Sequence, residues 1–134
     1  MNSSSKRPDR MEIFIDRALG RRIAEPLRQA GAIVHLHDDY FAQGVEDAVW
    51  LTEVGRRGWV VLTKDQRIRY RTLEREALRN AGIKAFIFMS GNVPFQVMAE
   101  AIAKALPRIE KFALSHKAPF IAGVYKNASV RPIL

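Results

Sequence analysis

The chain contains no cysteine among its 134 residues. This absence excludes disulfide-stabilised folds, thiol nucleophiles and zinc or iron–sulfur sites built on cysteine. No apolar run approaches the roughly 20 residues that a membrane-spanning helix needs, and the N-terminus lacks the apolar stretch of a secretory signal. From these absences we expect a cytoplasmic protein that does not contact a membrane.

Acidic residues are few in comparison with basic ones. The 14 Asp and Glu residues stand against 22 Lys and Arg residues, which gives a formal net charge of +8 at pH 7 and an isoelectric point near 10.3. A surface with this excess of positive charge favours polyanions. An anionic partner is therefore expected.

The length and the 48% of apolar residues suit one domain with a single core. Residues 1–11 are interpreted as a flexible N-terminal arm, because the stretch MNSSSKRPDR is polar and shows no periodicity. Residues 12–134 are predicted to form one domain.

Short apolar runs alternate with helical patterns along this domain. Strands are predicted over residues 12–16, 32–37, 59–65, 83–89 and 120–124. Pro26 and Pro107 lie inside helical patterns and are expected to kink, break or delay those helices. The alternation predicts right-handed crossovers between strands. We therefore expect an α/β fold with a mostly parallel sheet of four to five strands, covered by helices on both faces.

Acidic residues follow the first three predicted strands. Asp16 ends the first strand, Asp38 and Asp39 follow the second, and Asp65 ends the third. Because ligand sites in such sheets form outside the carboxyl ends of the strands, these carboxylates are expected to converge at one edge. Asp47 is a further candidate, since it shares a helical stripe with two apolar residues, Leu51 and Val54.

Clustered carboxylates repel one another, by about 1 kcal/mol for two charges ~4 Å apart in water and several times more near a protein surface. A divalent cation relieves this repulsion, and oxygen ligands without cysteine suit Mg²⁺ or Mn²⁺. Such an ion can polarise a phosphodiester, help generate hydroxide and stabilise the leaving 3′ oxygen. A basic surface with an acidic metal site is the combination expected of a nuclease.

Arginines lie close to these acids in the sequence. They are expected to bind RNA, and they form two groups, Arg17, Arg21 and Arg22 after Asp16, and the row Arg67, Arg71, Arg75 and Arg79 after Asp65. Because Glu74 and Glu76 interrupt the second group, an ordinary salt-bridged solvent face is the alternative interpretation.

Three stretches together resemble the PIN-like ribonucleases, and most closely their compact branch of VapC-type toxins. They are Phe14-Ile-Asp16-Arg-Ala-Leu-Gly20, the helix start Glu46-Asp47 with Trp50, and Val60-Val-Leu-Thr-Lys-Asp65-Gln-Arg-Ile. The likeness extends over roughly residues 12–89. It implies a three-layer α/β/α domain that acts as a Mg²⁺- or Mn²⁺-dependent ribonuclease. In toxin–antitoxin members a partner protein blocks the site.

The resemblance also implies which residues form the site. Asp16, Asp47 and Asp65 match the family's catalytic, metal-binding acids, and Thr63 would support them. The larger branch often carries one more acid shortly after the third one, where this chain has Gln66. Asp38 or Asp39 is the alternative fourth ligand. Substituting Asn for Asp16 or Asp65 is expected to abolish cleavage and to leave or raise stability, because one repelling charge is removed.

Several of these residues also have simpler structural interpretations. Asp16 and Asp47 could cap the helices that follow, for about 1 kcal/mol each, and Lys64 could neutralise the acids in place of a metal. His35 and His37 are favoured as structural histidines, since no third ligand accompanies them. Trp50 and Trp59 are expected in the core. Asn92 could cap a helix with Pro94 in its first turn, or residues 90–92 could bind a phosphate.

The sequence therefore predicts a metal-dependent endoribonuclease, the toxin of a toxin–antitoxin pair, with RNA and a cognate antitoxin as partners. The main alternative is a phospho-acceptor receiver domain, because a strand-end Asp, an acidic pair and a Lys also occur there. A catalytically inactive PIN-like module that binds RNA or protein is a third possibility. Either a monomer or a homodimer is compatible with the sequence.

Overall fold

A computed structural model of the chain describes residues 11–133. The predicted N-terminal arm lies outside the described residues except for Met11, which packs against the core immediately before the first strand. Over the described range, no helix is both long enough and apolar enough to cross a membrane.

The described chain contains six strands and five α-helices. The strands are β1 (Glu12–Ile15), β2 (Ile33–Leu36), β3 (Val60–Thr63), β4 (Lys84–Phe88), β5 (Phe120–Val124) and β6 (Val130–Pro132). The helices are α1 (Ala24–Gln29), α2 (His37–Tyr40), α3 (Asp47–Arg57), α4 (Thr72–Asn80) and α5 (Phe95–Ser115). Two 3₁₀ turns, Arg21–Ile23 and Gln66–Arg69, precede α1 and α4.

The strands form one sheet in the order β2-β1-β3-β4-β5-β6. The first five strands are parallel, and β6 runs antiparallel to β5. The predicted α/β architecture with a mostly parallel sheet is confirmed. The sixth strand was not predicted, because it has three residues, is only partly buried and ends in a proline, as an edge strand can.

Helices cover both faces of the sheet, because successive side chains of a strand point to opposite sides. Ile13 and Ile15 of β1 belong to one core cluster, which includes Leu27 of α1 and Ile102 of α5. Phe14, between them, belongs to the second cluster, which includes Leu51 of α3 and Leu78 of α4. The molecule is thus the three-layer α/β/α sandwich that the sequence predicted.

The two prolines inside helices behave differently from each other. Pro26 is the third residue of α1, where the first-turn N–H groups have no helical partner, and the α-helix begins only at Ala24. This is the delayed start that the sequence predicted. Pro107 does not end α5, which continues to Ser115. Pro107 is exposed, so water can bind the Ala103 carbonyl that the missing N–H leaves free.

Helices α3 and α4 pack unusually closely, and Gly55 permits this contact. A Cβ atom at Gly55 would lie 2.2 Å from the backbone oxygen of Ala81, directly after α4. The contact holds the helix that begins with Asp47 against the helix that carries Glu74. Asp47 and Glu74 both line the candidate functional site.

Candidate active site

Asp16, Asp47 and Asp65 line one cleft, of about 290 Å³, at the carboxyl edge of the sheet. Asp16 directly follows β1, and Asp65 lies two residues after β3, which pairs with β1 in parallel. Asp47 is the first residue of α3, one of the helices that cover the sheet. We call this cavity the acid cleft. The structure thus brings together the three aspartates that the sequence selected, and their catalytic and metal-binding roles stay predictions.

Asp16 is the most enclosed of the three carboxylates. Its Oδ2 accepts a hydrogen bond from the Thr63 hydroxyl at 2.8 Å, and its Oδ1 accepts one from the backbone N–H of Arg17 at 2.8 Å. Burial raises the pKa of Asp16 above its ordinary value, and the negative charge of Asp47 raises it further. The hydrogen bonds from Thr63 and Arg17, and the charge of His37, oppose this shift.

Asp65 is neutralised by a neighbouring guanidinium. Arg67 Nε lies 3.0 Å from Asp65 Oδ1, and Arg67 Nη2 lies 3.3 Å from Oδ2. The backbone N–H of Arg67 also donates to Oδ1 at 3.0 Å, so Asp65 caps the 3₁₀ turn that follows it. The hydrogen bond from the Arg67 side chain lowers the pKa of Asp65 below its ordinary value. Asp65 is therefore both a turn residue and a wall of the acid cleft.

Asp47 is not a helix cap. Glu46 occupies the cap position of α3, and no side chain caps that end. The carboxylate of Asp47 instead accepts a hydrogen bond from the indole Nε1–H of Trp50 at 2.9 Å. Trp50 is buried in the core and stacks on Phe14, with ring centroids 5.4 Å apart. Asp16 does not cap the next helical turn either, because Gly20 holds that position.

The two acids proposed as a fourth ligand lie outside the acid cleft. Asp38 and Asp39 belong to the short helix α2, and neither borders the acid cleft. Asp38 Oδ1 pairs with Arg17 Nε at 3.2 Å and faces a smaller cavity of about 130 Å³. Asp39 is exposed. Asp16 also lines this smaller cavity, so a ligand role for Asp38 beside Asp16 stays a prediction.

Glu74 is the fourth carboxylate of the acid cleft, and sequence reasoning missed it. It was interpreted as part of a solvated charged face, but its side chain is only 14% exposed and accepts a hydrogen bond from Arg71 Nη1 at 3.0 Å. The available signal was its spacing of four residues from Leu78, which is buried. That spacing places Glu74 on the inward side of α4.

His37 is a second missed residue of the acid cleft. It is buried, and its Nδ1 has no hydrogen-bond partner among the described residues, the nearest carboxylate oxygen being that of Asp38 at 3.7 Å. His35, by contrast, is fully engaged in structure. Its ring hydrogen bonds with Tyr40 and Glu12 at 2.7 Å each and stacks on Trp59 at a centroid distance of 3.7 Å.

The arginine row after Asp65 does not form one helical face. Arg67 lies in the 3₁₀ turn, Arg71 has an extended backbone before α4, and only Arg75 and Arg79 belong to the helix. Arg67 and Arg71 border the acid cleft with their acidic partners, whereas Arg75 does not border it. The break at Arg71 ends the spacing of four on which the predicted row depends.

Lys64, Gly91 and Asn92 line a second cavity at this edge of the sheet. Lys64 does not line the acid cleft and forms no ion pair with an aspartate within residues 11–133, so nothing in this geometry supports its suggested neutralising role. Asn92 does not cap α5, because Pro94 holds the cap position and the helix begins at Phe95. Trp59 is buried in the core, as expected.

The donors of the acid cleft are of the type that a hard divalent cation prefers. Asp16, Asp47, Asp65 and Glu74 offer only carboxylate oxygens, which suit Mg²⁺ or Mn²⁺. Within residues 11–133, however, no three His, Asp or Glu side chains converge closely enough to surround an ion. The Arg67 guanidinium contacts both oxygens of Asp65, one of the expected ligands.

Comparison with known proteins agrees with the fold. Residues 11–90, more than half of the chain, match the family model described as a PIN like domain. A curated protein of Mycobacterium tuberculosis (strain ATCC 25618 / H37Rv), named "Putative ribonuclease VapC45", is 28% identical over 124 residues, which cover 89% of each chain. No solved structure is significantly similar. The chain therefore belongs to the PIN-like domain family.

Proposed function

We propose that this protein is a Mg²⁺- or Mn²⁺-dependent endoribonuclease and the toxin of a toxin–antitoxin pair. The observation that carries the proposal is the convergence of Asp16, Asp47 and Asp65 on one cleft in a chain of net charge +8. Carboxylates that lie together at one edge of the sheet repel one another. A cation that also binds a phosphodiester substrate would relieve this repulsion, and the basic surface would attract the substrate.

Asp16 and Asp47 are the expected first ligands of the cation. Their charges already repel each other, since Asp47 raises the pKa of Asp16, and a cation would relieve this repulsion. Asp65 would be the third ligand if the cation displaced the Arg67 guanidinium from its carboxylate. When bound, the divalent ion supplies the positive charge that polarises a phosphodiester and activates water. Thr63 keeps Asp16 oriented through its hydroxyl hydrogen bond.

The toxin assignment depends on the resemblance to VapC-type toxins and on the name of the Mycobacterium tuberculosis relative, which carries the words ribonuclease and VapC45. By the same relationship, RNA is the proposed substrate and a cognate antitoxin the proposed protein partner. The antitoxin is expected to cover the acid cleft and so to block cleavage. We propose that the protein acts in the cytoplasm.

The receiver-domain alternative fails, because the chain belongs to the PIN-like family. The inactive PIN-like module is favoured by one observation, which is the pairing of Asp65 with Arg67. An arginine that neutralises an acid without any cation would leave an RNA-binding module without catalysis. Cleavage assays distinguish these two functions.

The test is cleavage of a mixed single-stranded RNA by the purified protein with Mg²⁺, with Mn²⁺ and with EDTA. We expect cleavage only with a divalent ion, and loss of cleavage in Asp16→Asn. Asp39→Asn is the matched control, because it makes the same substitution at an exposed carboxylate outside the acid cleft. Cleavage that persists in EDTA, or in Asp16→Asn, would contradict the proposal. Tight RNA binding without cleavage under any of these conditions would support the inactive module.

A further inference from the structure

A second cavity, of about 680 Å³, opens at the same edge of the sheet as the acid cleft and shares no lining residue with it. Its walls come from the loops that follow β1, β3 and β4 and from the start of α5. We call it the basic groove. The residues on which the argument depends are Arg21, Arg22, Lys64 and Phe95.

The acid cleft and the basic groove lie on opposite sides of the same two loops. In the loop after β1, residues 16–18 line the acid cleft and residues 19–22 line the groove. The second stretch contains Gly20, whose φ of 88° favours glycine. In the loop after β3, alternate residues face opposite sides, Asp65 and Arg67 toward the cleft, Lys64 and Gln66 toward the groove. A bound strand can therefore pass from one cavity to the other across the strand ends.

The cations of the two cavities differ in their pairing. In the acid cleft Arg17, Arg67 and Arg71 each hold a carboxylate at 3.0 to 3.2 Å. In the basic groove, Arg21 and Lys64 are exposed and form no ion pair within the described part of the chain. Cations without a protein partner are the ones that can neutralise phosphates and release counterions.

An aromatic side chain accompanies these cations. The guanidinium carbon of Arg22 lies 4.1 Å from the centroid of the Phe95 ring, a cation–π contact. Phe95 is partly buried against the core, and Arg22 is exposed. A ring and a guanidinium in contact form a surface on which an unstacked nucleobase can stack, and single-stranded RNA presents such bases.

We propose that the basic groove binds the RNA strand beside the bond that is cut, with Arg21 and Lys64 on phosphates and the Arg22–Phe95 pair against a base. This inference deepens the proposed ribonuclease function and rests on it for the identity of the polymer. It moves the RNA path away from the arginines after Asp65, because Arg67 and Arg71 are occupied by acids. A charged groove with one stacking position binds single strands with little sequence preference.

The experiment measures binding by fluorescence anisotropy in EDTA, so that it does not depend on cleavage. Two labelled oligomers of equal length are compared, a single-stranded RNA and an abasic ribose-phosphate chain. Arg21→Ala and Lys64→Ala are each expected to lower the log–log salt slope by roughly 0.7 on both oligomers. Phe95→Leu is expected to weaken RNA binding by at least about 5-fold and to leave binding of the abasic chain unchanged.

Arg22→Lys tests the stacking position without touching the core. It keeps the charge and removes the planar guanidinium, so it is expected to weaken RNA binding and not abasic binding, as Phe95→Leu does. Lys117→Ala is the control, because Lys117 is exposed and precedes β5 at the opposite edge of the sheet. Thermal melting of every variant establishes that it is folded.

The inference is overturned if the four groove variants bind RNA no more weakly than Lys117→Ala does. The same result is expected if the groove binds an acidic protein segment and not RNA. It is overturned as well if Phe95→Leu and Arg22→Lys weaken both oligomers equally. These failures are separable from failure of the proposed function. Groove-dependent binding by a protein that never cuts RNA contradicts only the ribonuclease, and cleavage with wild-type affinity in the groove variants contradicts only the groove.

Discussion

Thr63 donates its hydroxyl hydrogen to Oδ2 of Asp16 at 2.8 Å, across the boundary between two neighbouring strands. The same hydroxyl oxygen accepts the backbone N–H of Asp65 at 3.0 Å. Thr63 is only 1% exposed, so this link is shielded from water. One buried side chain therefore fixes the positions of two of the three candidate catalytic acids.

Thr63→Val tests this positioning role, because valine keeps the shape and removes the hydroxyl. We expect a decrease in RNA cleavage of about 10- to 100-fold, the usual effect of losing a group that orients a ligand. The unpaired N–H of Asp65 should also lower the free energy of unfolding by about 1–3 kcal/mol. Thr52→Val, on the exposed side of α3, is the control. If Thr63→Val were less stable than the wild type but cleaved RNA equally fast, Thr63 would have only a structural role.

Asp16 is expected to make stability fall as the pH rises. Burial raises its pKa in the folded state above the ordinary 3.8, so in the interval above 3.8 the folded state binds more protons than the unfolded chain does. Asp16→Asn removes this effect. Its melting temperature should match that of the wild type near pH 3.8 and exceed it increasingly as the pH rises through the raised pKa of Asp16. A difference that shrinks over this interval would contradict the raised pKa.

Asp65 is expected to have the opposite pH dependence. Arg67 lowers its folded-state pKa, so its ionised form contributes stability above the ordinary value of 3.8, and this is lost as the pH falls through the lowered pKa. Asp65→Asn should therefore be less stable than the wild type at neutral pH, by less than about 1 kcal/mol because the pair is partly exposed. This replaces the sequence-based expectation of unchanged or higher stability. Melting curves of Asp65→Asn and the wild type, measured at neutral pH and again below pH 3.8, decide between the two expectations.

Arg67 is expected to compete with a divalent ion for Asp65. Arg67→Met removes the guanidinium and keeps the chain length, so Mn²⁺ should bind up to about five-fold more tightly, measured by titration calorimetry without RNA. Arg79→Met, on the exposed side of α4, is the control. Weaker Mn²⁺ binding in Arg67→Met would mean that Arg67 holds Asp65 in the position for a ligand.

Gly55→Ala tests the contact between the two helices that carry Asp47 and Glu74. The new Cβ would meet the Ala81 carbonyl oxygen at 2.2 Å, and the helices must separate. We expect the free energy of unfolding to fall by about 1–3 kcal/mol, with reduced cleavage in the folded fraction. Thr52→Ala in the same helix should change stability by less than about 0.5 kcal/mol. Equal stability of Gly55→Ala and wild type would show that the helices can separate freely.

The fold was largely readable from the sequence. Apolar runs such as the one from Trp59 to Thr63 are long enough to identify buried parallel strands, and the helices between them determine the handedness of the connections. The edge strand Val130–Pro132 was not readable, since three partly buried residues carry no periodic signal. The continuation of α5 through Pro107 was not predictable either. The buried apolar side chains along the rest of the helix outweigh the one hydrogen bond that the proline removes.

The sequence predicts the position of those site residues that directly follow strands. Asp16 and Asp65 follow paired parallel strands, so topology alone brings them to one edge. Glu74 and His37 were missed because their places depend on how α4 and α2 pack. Asp38 lies after the second strand, as the sequence predicts, but its ion pair with Arg17 links residues that are distant in the sequence and could not be predicted.

The sequence by itself determined the layered α/β architecture, the family and the gathering of acids at one sheet edge, since these follow from periodicity and the order of strands. Only the tertiary structure decided how the charges are paired. It places Arg67 on Asp65 and Arg71 on Glu74, and it leaves Arg21 and Lys64 without acidic partners in the described residues. The physical reason is that pairing energies depend on distances of a few ångströms between side chains, which helix packing and loop direction set and which local sequence does not encode.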